Sequence, residues 1–433
     1  MNNEYFHAES LIYCYSLVLG FFFAKMKFLE IKLPYPAIHC AVSAGLLATC
    51  LLILAVVILP DHREPPLPPV ATDDGHGGGN LSCNIFQGEW VPDPGTPRYT
   101  TEICPVIHGH YDCARYGRPD LGFVRWRWRP AGCELPRLDA ARFLRAARGR
   151  SMAFVGDSLA RNQMHSLVCL LARAERPSPW TNATRHAYRF GRHGFTVASF
   201  WSPFLVRAVE ADPDGPKGSG ASLWNLHLDE PDAGWAARAG EFDYVVVSAG
   251  SWAGSNSRFF RPSVFHERGR LVGCNGCLAP NVTDLTLRYP LRKAFRTALR
   301  AAAVAGLPGR GARTTVVVRT LSPSHYENGT WNEDGDCART RPLARGGWEM
   351  NAVEKEMYAI QAEEFAAAGR EGKDARMLLL DATEAMALRP DAHPSKYRLW
   401  QPDRFNVSRD CLHWCLPGAM DACNDMLIHM LLH

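Results

Sequence analysis

The chain has 433 residues, a length that accommodates two or three domains. Hydrophobic residues make up 47% and charged residues 21% of it, which excludes general disorder and predicts a large folded core. The net charge is only +4 and no run of five Lys or Arg residues occurs, so we exclude nucleic acid as a partner.

The first organising feature is an apolar segment, Ile38–Leu59, which contains no Asp, Glu, Lys or Arg. Its 22 residues are just long enough to cross a hydrocarbon core of about 30 Å. Lys25, Lys27 and Lys32 precede it, whereas only Arg63 follows closely. By the positive-inside rule, residues 1–37 are cytosolic, residues 38–59 form an uncleaved signal anchor, and the rest of the chain is lumenal.

The composition of the predicted lumenal part divides it into three regions. Residues 60–82 are a mixture of Pro and Gly and predict a flexible stem. Residues 83–149 form a small Cys-rich subdomain, and residues 150–433 form the main domain.

Cysteines and glycosylation sequons indicate the compartment. Five sequons lie beyond the apolar segment, at Asn80, Asn182, Asn281, Asn328 and Asn406. An oxidising, glycosylating lumen explains them together with the late cysteines. The disulfide candidates are Cys83, Cys104, Cys113, Cys133, Cys274, Cys277, Cys337, Cys411, Cys415 and Cys423. The first four of these predict two bridges within the Cys-rich subdomain.

A zinc site is the alternative use of these cysteines. Cys274 and Cys277 form a CxxC pair, but no second CxxC or HxxxH accompanies it. We therefore expect no bound metal.

The stretch FVRWRWRP in the Cys-rich subdomain has two interpretations. The two-residue period of a strand places Trp126 and Trp128 on one face and Arg125, Arg127 and Arg129 on the other. Either both Trp rings belong to the core, or they form a stacking platform for sugar rings with a basic edge.

After residue 149 the pattern becomes that of an α/β domain. Apolar runs predict buried strands at residues 152–155, 244–247, 315–318 and 377–380. Helix-period stretches predict helices over Leu159–Ala174, Leu291–Ala305 and Met350–Ala368. This alternation is typical of a parallel sheet flanked by helices, and active sites of such sheets lie at the carboxyl ends of the strands.

The first predicted strand ends in the motif FVGDSLARN. Ser158 follows the Gly156-Asp157 turn and opens a helix, where backbone N–H groups can stabilise an oxyanion. Arg161 and Asn162 lie three and four residues later on the same helix face and can reach the same ligand. The alternative is that Asp157 or Ser158 only caps the helix.

A candidate base lies near the C-terminus in DCLHWCLPG. Asp410 and His413 are three residues apart, so the carboxylate can hold one imidazole nitrogen while the other accepts the serine proton. Cys411 and Cys415 can tether this turn to the body of the domain. His325, in SPSHYENG, is the next candidate for the base.

At this point the chain resembles a known family. The Gly-Asp-Ser turn with a late Asp-x-x-His is similar to GDSL-type, SGNH-like esterases. The segments CNIFQGEWV, WRWRPAGCELPR and RTLSPSHYENGTWN resemble the plant trichome-birefringence-like family of Golgi polysaccharide O-acetyltransferases. The resemblance implies an SGNH-like three-layer domain and an acetyl-serine intermediate on Ser158.

The same resemblance implies the setting of the reaction. It implies a single-pass type II protein of the Golgi membrane with a lumenal catalytic domain and a hemicellulose acceptor. No cofactor is bound, and an acetyl donor, or a membrane protein that supplies it, is required. The candidates for oxyanion or substrate binding are Gly156, Asp157, Arg161, Asn162, Gly250, His325, Trp126 and Trp128.

Residues 259–300 resemble the branch with xyloglucan O-acetyltransferases, which makes xyloglucan the first choice of acceptor over mannan or xylan. The chain departs from the family at two places. It has Gly250-Ser251-Trp252 where Gly-His-Trp is usual, and Met420-Asp421-Ala422-Cys423-Asn424 where Pro-Asp-x-Trp-Asn is usual. A polysaccharide acetylesterase and a non-catalytic polysaccharide-binding protein are the alternative functions.

Overall fold

The computed structural model describes residues 83–180, 186–210, 224–250, 263–275, 281–285, 288–304, 314–331, 333–371, 375–398 and 408–433. The predicted cytosolic segment, signal anchor and stem lie outside these residues. Within the described ranges, none of the helices has the length and apolar character needed to cross a membrane.

The described strands are short and are numbered in chain order. They are β1 Gly88–Pro92, β2 Trp126–Pro130, β3 Ser151–Gly156, β4 Ser178–Pro179, β5 His186–Phe190, β6 Phe195–Trp201, β7 Val206–Glu210, β8 Trp224–Pro231, β9 Tyr244–Ser248, β10 Ser263–Glu267, β11 Arg270–Asn275, β12 Thr315–Arg319 and β13 Arg376–Leu380.

The described α-helices differ widely in length. They are α1 Ala140–Ala146, α2 Ser158–Ala172, α3 Ala233–Ala236, α4 Arg288–Val304, α5 Ala352–Glu371, α6 Thr383–Ala387 and α7 Met420–Leu432.

The main sheet has the strand order β13-β12-β9-β3-β6-β5-β4. Its first five strands are parallel, and β5 and β4 are added antiparallel at one edge. Every residue of β9 and β12 is buried, because both faces of the sheet are covered. The four predicted strands are thus confirmed as β3, β9, β12 and β13, and the three predicted helices as α2, α4 and α5.

Two hydrophobic cores cover the faces of this sheet. One face packs against α1, α2 and α7 and against the Cys-rich subdomain. The other face packs against α4 and α5. A second, four-stranded sheet of order β11-β10-β8-β7, which the sequence analysis did not predict, packs through β8 against α4. The domain is therefore a mixed α/β fold with helices on both faces of a largely parallel sheet.

The Cys-rich subdomain is docked onto the main domain through buried polar groups. Trp90 in β1 donates its indole N–H to the Ala385 carbonyl over 2.8 Å. The Tyr99 hydroxyl donates to the Asp421 carboxylate in α7 over 2.8 Å. Buried groups that are paired in this way stay favourable only while both partners are in place, so these contacts specify the docking.

The disulfides differ from the predicted pairing. Only Cys83–Cys133 lies within the Cys-rich subdomain, whereas Cys104–Cys169 and Cys113–Cys415 join it to the main domain. The prediction of two internal bridges was wrong, because Cys169 in the middle of α2 had been overlooked as a partner. Two of these three bridges thus fasten the two subdomains to each other.

The remaining cysteine candidates lie in the main domain. Cys337–Cys411 tethers the turn that carries His413, as predicted. Cys274 is also disulfide-bonded, and Cys277 lies outside the described residues. The assignment of Cys423 as a disulfide candidate was wrong: it is a free, buried thiol in α7. Burial raises its pKa to about 12, so it remains a thiol at neutral pH.

Candidate active site

Ser158 lies at a sharp turn between β3 and α2. Gly156 has a φ of +146°, and a Cβ there would lie 1.8 Å from the Ser248 carbonyl oxygen of the neighbouring strand β9. Only glycine permits this close approach. Asp157 caps α2, with its carboxylate accepting the Leu159 N–H over 3.0 Å. Ser158 is then the first residue of α2, at the end where the N–H groups have no acceptor within the helix itself.

The structure brings together three side chains that the sequence analysis singled out. His413 Nε2 lies 2.6 Å from Ser158 Oγ, and His413 Nδ1 lies 2.8 Å from Asp410 Oδ2. These are hydrogen-bond distances, and they link the Ser158 hydroxyl to the His413 imidazole and the imidazole to the Asp410 carboxylate. The arrangement has the geometry in which an imidazole can accept a serine proton while a carboxylate holds its second nitrogen.

Asp410 is held as a carboxylate. Burial would raise its pKa, but the His413 ring and the His413 backbone N–H, which donates to Oδ1 over 3.0 Å, lower that pKa below its usual range. The guanidinium of Arg398, 3.9 Å from Oδ2, acts in the same direction. The negative charge that orients His413 is therefore present at neutral pH.

Asn162 has a different role from the predicted one. Its Oδ1 accepts the Trp414 N–H over 2.8 Å and its Nδ2 donates to the Trp414 carbonyl over 3.2 Å. The amide is fully buried, so its assignment as a substrate contact was wrong. Asn162 instead fixes the backbone immediately after His413.

Arg161, its neighbour in α2, remains available as a ligand-binding candidate. Its guanidinium carbon lies 5.8 Å from the ring centre of Trp201, and its Nε atom has no hydrogen-bond partner among the described residues. It also lies beside the Tyr111 hydroxyl.

Tyr111 is a residue of the site that the sequence analysis missed. Its ring centre lies 5.7 Å from that of His413, and its hydroxyl donates to the Ser158 carbonyl over 3.2 Å. The Cys-rich subdomain therefore contributes directly to the surroundings of Ser158 and His413. The signal that could have found it is the position of Tyr111 two residues before Cys113, the partner of Cys415.

Two further histidines lie next to Tyr111. The ring centres of His108 and His165 are 5.6 Å apart. Burial lowers the pKa of His108 to about 4 and that of His165 to about 3, so both are neutral at neutral pH. In the part of the chain that the structure describes, no group of three or more His, Cys, Asp or Glu side chains is arranged to hold a metal ion.

A cavity of about 390 Å³ opens beside the His413 ring. Aromatic side chains line it, with Tyr326, Trp331 and Trp348 contributing ring surfaces. Trp331 is 37% exposed, so its ring is available for contact. The cavity therefore combines aromatic surface with direct access to the imidazole that contacts Ser158.

The structure confirms the core interpretation of Trp126 and Trp128, whereas their assignment as substrate-binding residues and that of His325 as a base were wrong. Trp128 is buried, donates its indole N–H to the Ile85 carbonyl and packs edge-on against Trp90, while Trp126 packs partly buried on the same core. They belong to the core and form no exposed sugar platform. His325 is 1% exposed with both ring nitrogens hydrogen-bonded away from Ser158, so it is not placed to act as the base or to bind substrate.

Gly250 remains a candidate for the oxyanion site. It is buried two residues beyond the end of β9 and has a φ of +80°. Ser251 and Trp252, which complete the first departure from the family pattern, lie outside the described residues. In the second departure, Asp421 and Asn424 are both buried and hydrogen-bonded, so the two residues retained from the usual pattern are the ones that join α7 to its neighbours.

The chain is similar to known proteins along most of its length. The family described as a GDSL/SGNH-like acyl-esterase family found in Pmr5 and Cas1p matches residues 135–430, and the PMR5 N-terminal domain matches residues 81–134. Trichome birefringence-like protein 19 of Arabidopsis thaliana is 40% identical over 92% of this chain and 94% of its own length. Xyloglucan O-acetyltransferase 1 of Arabidopsis thaliana and xyloglucan O-acetyltransferase 4 of Populus trichocarpa are each 38% identical over 81% of this chain, which covers 80% and 81% of their own lengths, respectively.

Proposed function

This chain belongs to the GDSL/SGNH-like acyl-esterase family found in Pmr5 and Cas1p, and we propose that it transfers acetyl groups to hydroxyls of a hemicellulose, with xyloglucan as the first choice. The observation that carries the proposal is the 2.6 Å contact between His413 Nε2 and Ser158 Oγ, with Asp410 on the other imidazole nitrogen. A serine activated in this way forms a covalent ester with an acyl group.

In the first half of the reaction, Ser158 Oγ attacks the carbonyl carbon of the donor acetyl group. His413 Nε2 takes the hydroxyl proton, and the charge of Asp410 stabilises the resulting imidazolium. The negative oxygen of the tetrahedral intermediate accepts hydrogen bonds from N–H groups at the start of α2, and the Gly250 N–H is a further candidate donor. Collapse of the intermediate breaks the bond to the donor group, which leaves with the proton from His413.

In the second half, a sugar hydroxyl attacks the acetyl-serine ester. His413 removes the proton of that hydroxyl, and after collapse it returns a proton to Ser158 Oγ. The product is an acetylated glycan and the free serine. Water in place of the sugar hydroxyl would make the same site an acetylesterase, so occupancy of the acceptor cavity decides between the two outcomes.

The aromatic cavity beside His413 supports a glycan acceptor. Sugar rings stack on indole faces, and Trp331 and Trp348 both line the 390 Å³ cavity, where Trp331 is exposed and Trp348 is partly buried. Two of the relatives are xyloglucan O-acetyltransferases, which favours xyloglucan over mannan or xylan for this chain.

The setting in a Golgi membrane is part of the same proposal. The sequons at Asn281 and Asn328 lie on exposed residues, where a glycan can be attached without loss of packing. The described disulfides fit an oxidising lumen. The acetyl donor, or a membrane protein that supplies it, would reach Ser158 from the lumenal side.

The test uses the purified full-length protein in detergent with an aryl acetate as the donor. Oligosaccharides of xyloglucan, mannan and xylan are supplied separately, and mass spectrometry measures the addition of acetyl groups to each. We expect acetylation of the xyloglucan oligosaccharides and none with Ser158→Ala.

Other outcomes would redirect the proposal. Transfer to mannan or xylan alone would keep the chemistry and change the acceptor. Release of acetate at an unchanged rate whether or not an oligosaccharide is present would indicate an acetylesterase. Binding of oligosaccharides without turnover of the donor would indicate a non-catalytic polysaccharide-binding protein.

A further inference from the structure

Two buried histidines behind the active site form a chain of short hydrogen bonds that ends at His413. His325 Nδ1 lies 2.6 Å from His393 Nε2. The outer nitrogens contact backbone carbonyls: His325 Nε2 lies 2.8 Å from the Ala387 oxygen, and His393 Nδ1 lies 2.7 Å from the His413 oxygen. Both rings are 1% exposed and therefore lie away from bulk solvent.

These contacts determine how many protons the nitrogens of His325 and His393 carry together. A carbonyl oxygen can only accept a hydrogen bond, so each outer nitrogen carries a hydrogen. A neutral imidazole has a single N–H, so two neutral rings would face each other with two lone pairs at the inner nitrogens. Those nitrogens are at hydrogen-bond distance, which requires a hydrogen between them. Two rings then hold three protons.

We propose that His325 and His393 share one proton, and that this singly charged pair positions the catalytic base by holding the His413 carbonyl. Both are positioning residues, since neither contacts Ser158. The role in the reaction rests on the proposed function, whereas the proton count does not depend on it.

The aromatic surroundings favour one positive charge. The ring of Trp414 stacks on His393 with ring centres 4.2 Å apart. The face of an indole attracts a cation, and the attraction is strongest where water is excluded. The carboxylate of Asp410 also favours a proton on His393.

Other groups oppose a positive charge on either ring. Burial lowers the pKa of His325 to about 4 and that of His393 well below its usual range. Arg339 acts in the same direction on His325, as do His325 and Arg118 on His393. Arg118 also donates a hydrogen bond to the His393 carbonyl. These effects act against the shared proton, which the three short contacts require, and they exclude a second positive charge on the pair.

The pair completes the fixing of the catalytic segment. The His413 N–H is bound by Asp410, the Trp414 N–H and carbonyl are bound by Asn162, and the His413 carbonyl is bound by His393. All four backbone polar groups of His413 and Trp414 are therefore held by side chains. The imidazole of His413 can then meet Ser158 without a prior rearrangement.

The first test is the pH dependence of unfolding of the full-length protein in detergent, for the parent and for His325→Asn. The asparagine amide can donate to His393 without a charge. Above about pH 6.5, unfolded histidines lose their protons, whereas a charged folded pair keeps one. Each further pH unit should then lower the folding equilibrium constant of the parent about tenfold relative to His325→Asn. A ratio that stays constant above that pH would overturn the shared proton.

A second measurement needs no variant. Nitrogen-15 labelling of histidine allows the imidazole N–H groups of the parent protein to be observed by NMR. We expect three N–H protons on the two rings, one of them coupled to nitrogens of both. Two N–H protons and two unprotonated inner nitrogens would contradict the proposal.

The positioning role is tested by two substitutions at one site. His393→Asn retains a donor for the His413 carbonyl, whereas His393→Leu does not. We expect His393→Leu to lower kcat at least tenfold with little change in KM, and His393→Asn to restore most of it. Equal kcat values for the two variants, when corrected for the folded fraction, would show that the bond to His413 is not used in positioning.

Discussion

The side-chain amide of Asn162 pairs with both backbone polar groups of Trp414, across 252 residues of sequence. Asn162 lies four residues after Ser158 on α2, and Trp414 directly follows His413. One helix therefore carries the hydroxyl and also fixes the backbone that carries the imidazole. The contact between Asn162 and Trp414, rather than the intervening chain, therefore sets the distance between Ser158 and His413.

The first prediction concerns this amide. Asn162→Ala leaves the N–H and carbonyl of Trp414 buried without partners, at a cost of about 1–3 kcal/mol for each group. We expect the free energy of unfolding to fall and kcat to fall more than tenfold, because His413 loses its fixed position. Denaturant unfolding and acetyl transfer by the remaining folded protein measure the two effects.

Asn424→Ala is the matched control. Asn424 is also a fully buried amide, and it joins α7 to Gln163 and Ser166 of α2 without touching the His413 segment. Its loss should lower stability while kcat of the folded protein is kept. An Asn162→Ala variant that behaves in the same way would contradict the positioning role.

The second prediction uses the buried carboxyl of Asp421. Burial raises its pKa to about 6, above the unfolded value of about 3.9. The folded state therefore favours the protonated form, so this contribution to stability is complete below about pH 4 and is lost as the pH rises through about 6. The loss amounts to about 3 kcal/mol when the carboxyl is fully ionised.

The variant Asp421→Asn tests the direction of this pH dependence of stability. The amide cannot ionise, so the stability of the variant relative to the parent should rise by about 2 kcal/mol between about pH 4 and pH 7. Denaturant unfolding at intervals of one pH unit measures the difference, in which the other carboxyl groups cancel. A difference that stays level, or falls with pH, would show that Asp421 is ionised in the folded protein.

The third prediction separates two disulfides. Cys113 and Cys415 lie two residues after Tyr111 and His413, respectively, so their bridge ties together the two segments that face each other at the site. Replacement of both by Ser should cost about 2–5 kcal/mol of stability and also lower kcat. The same double replacement at Cys83 and Cys133, which joins two points of the Cys-rich subdomain, should lower stability and spare kcat. Thermal unfolding and acetyl transfer, measured for both double variants, give the comparison, and equal losses of kcat would contradict it.

The fourth prediction separates the base from the group that orients it. Asp410→Asn removes the charge that stabilises a protonated His413 but keeps a side chain of the same shape. By analogy with serine proteases, kcat should fall by about four orders of magnitude and remain measurable. Transfer rates for the parent and the variant at one donor concentration provide the test, and a loss of tenfold or less would assign Asp410 a structural role only.

Four of the five parallel strands could be predicted because their sequences are almost entirely apolar. The runs YVVV and TVVV of β9 and β12 are buried on both faces, and a continuous apolar run of this kind is typical of a buried parallel strand. In contrast, β6 reads FTVASFW and β8 reads WNLHLDEP, so polar residues interrupt the apolar pattern and neither strand was predicted. The second sheet was missed for the same reason.

The site was predicted only as far as local spacing carries information. Ser158 sits in a recognisable turn, and Asp410 lies one turn from His413. The partners of Asn162 and His393, however, are hundreds or tens of residues away and have no local signature. Trp128 could not be assigned from its alternation pattern alone, because a half-buried strand and a sugar platform share the same period.

The most direct test of the account is the detection of an acetyl group on Ser158. The full-length protein is mixed with an aryl acetate, quenched at short times, digested and analysed by mass spectrometry. We predict acetylation of Ser158 that accumulates without acceptor, disappears when xyloglucan oligosaccharide is added, and forms far more slowly in His413→Ala. An acetyl group on another residue, or an adduct on Ser158 that forms as fast in His413→Ala as in the parent, would contradict the proposed mechanism.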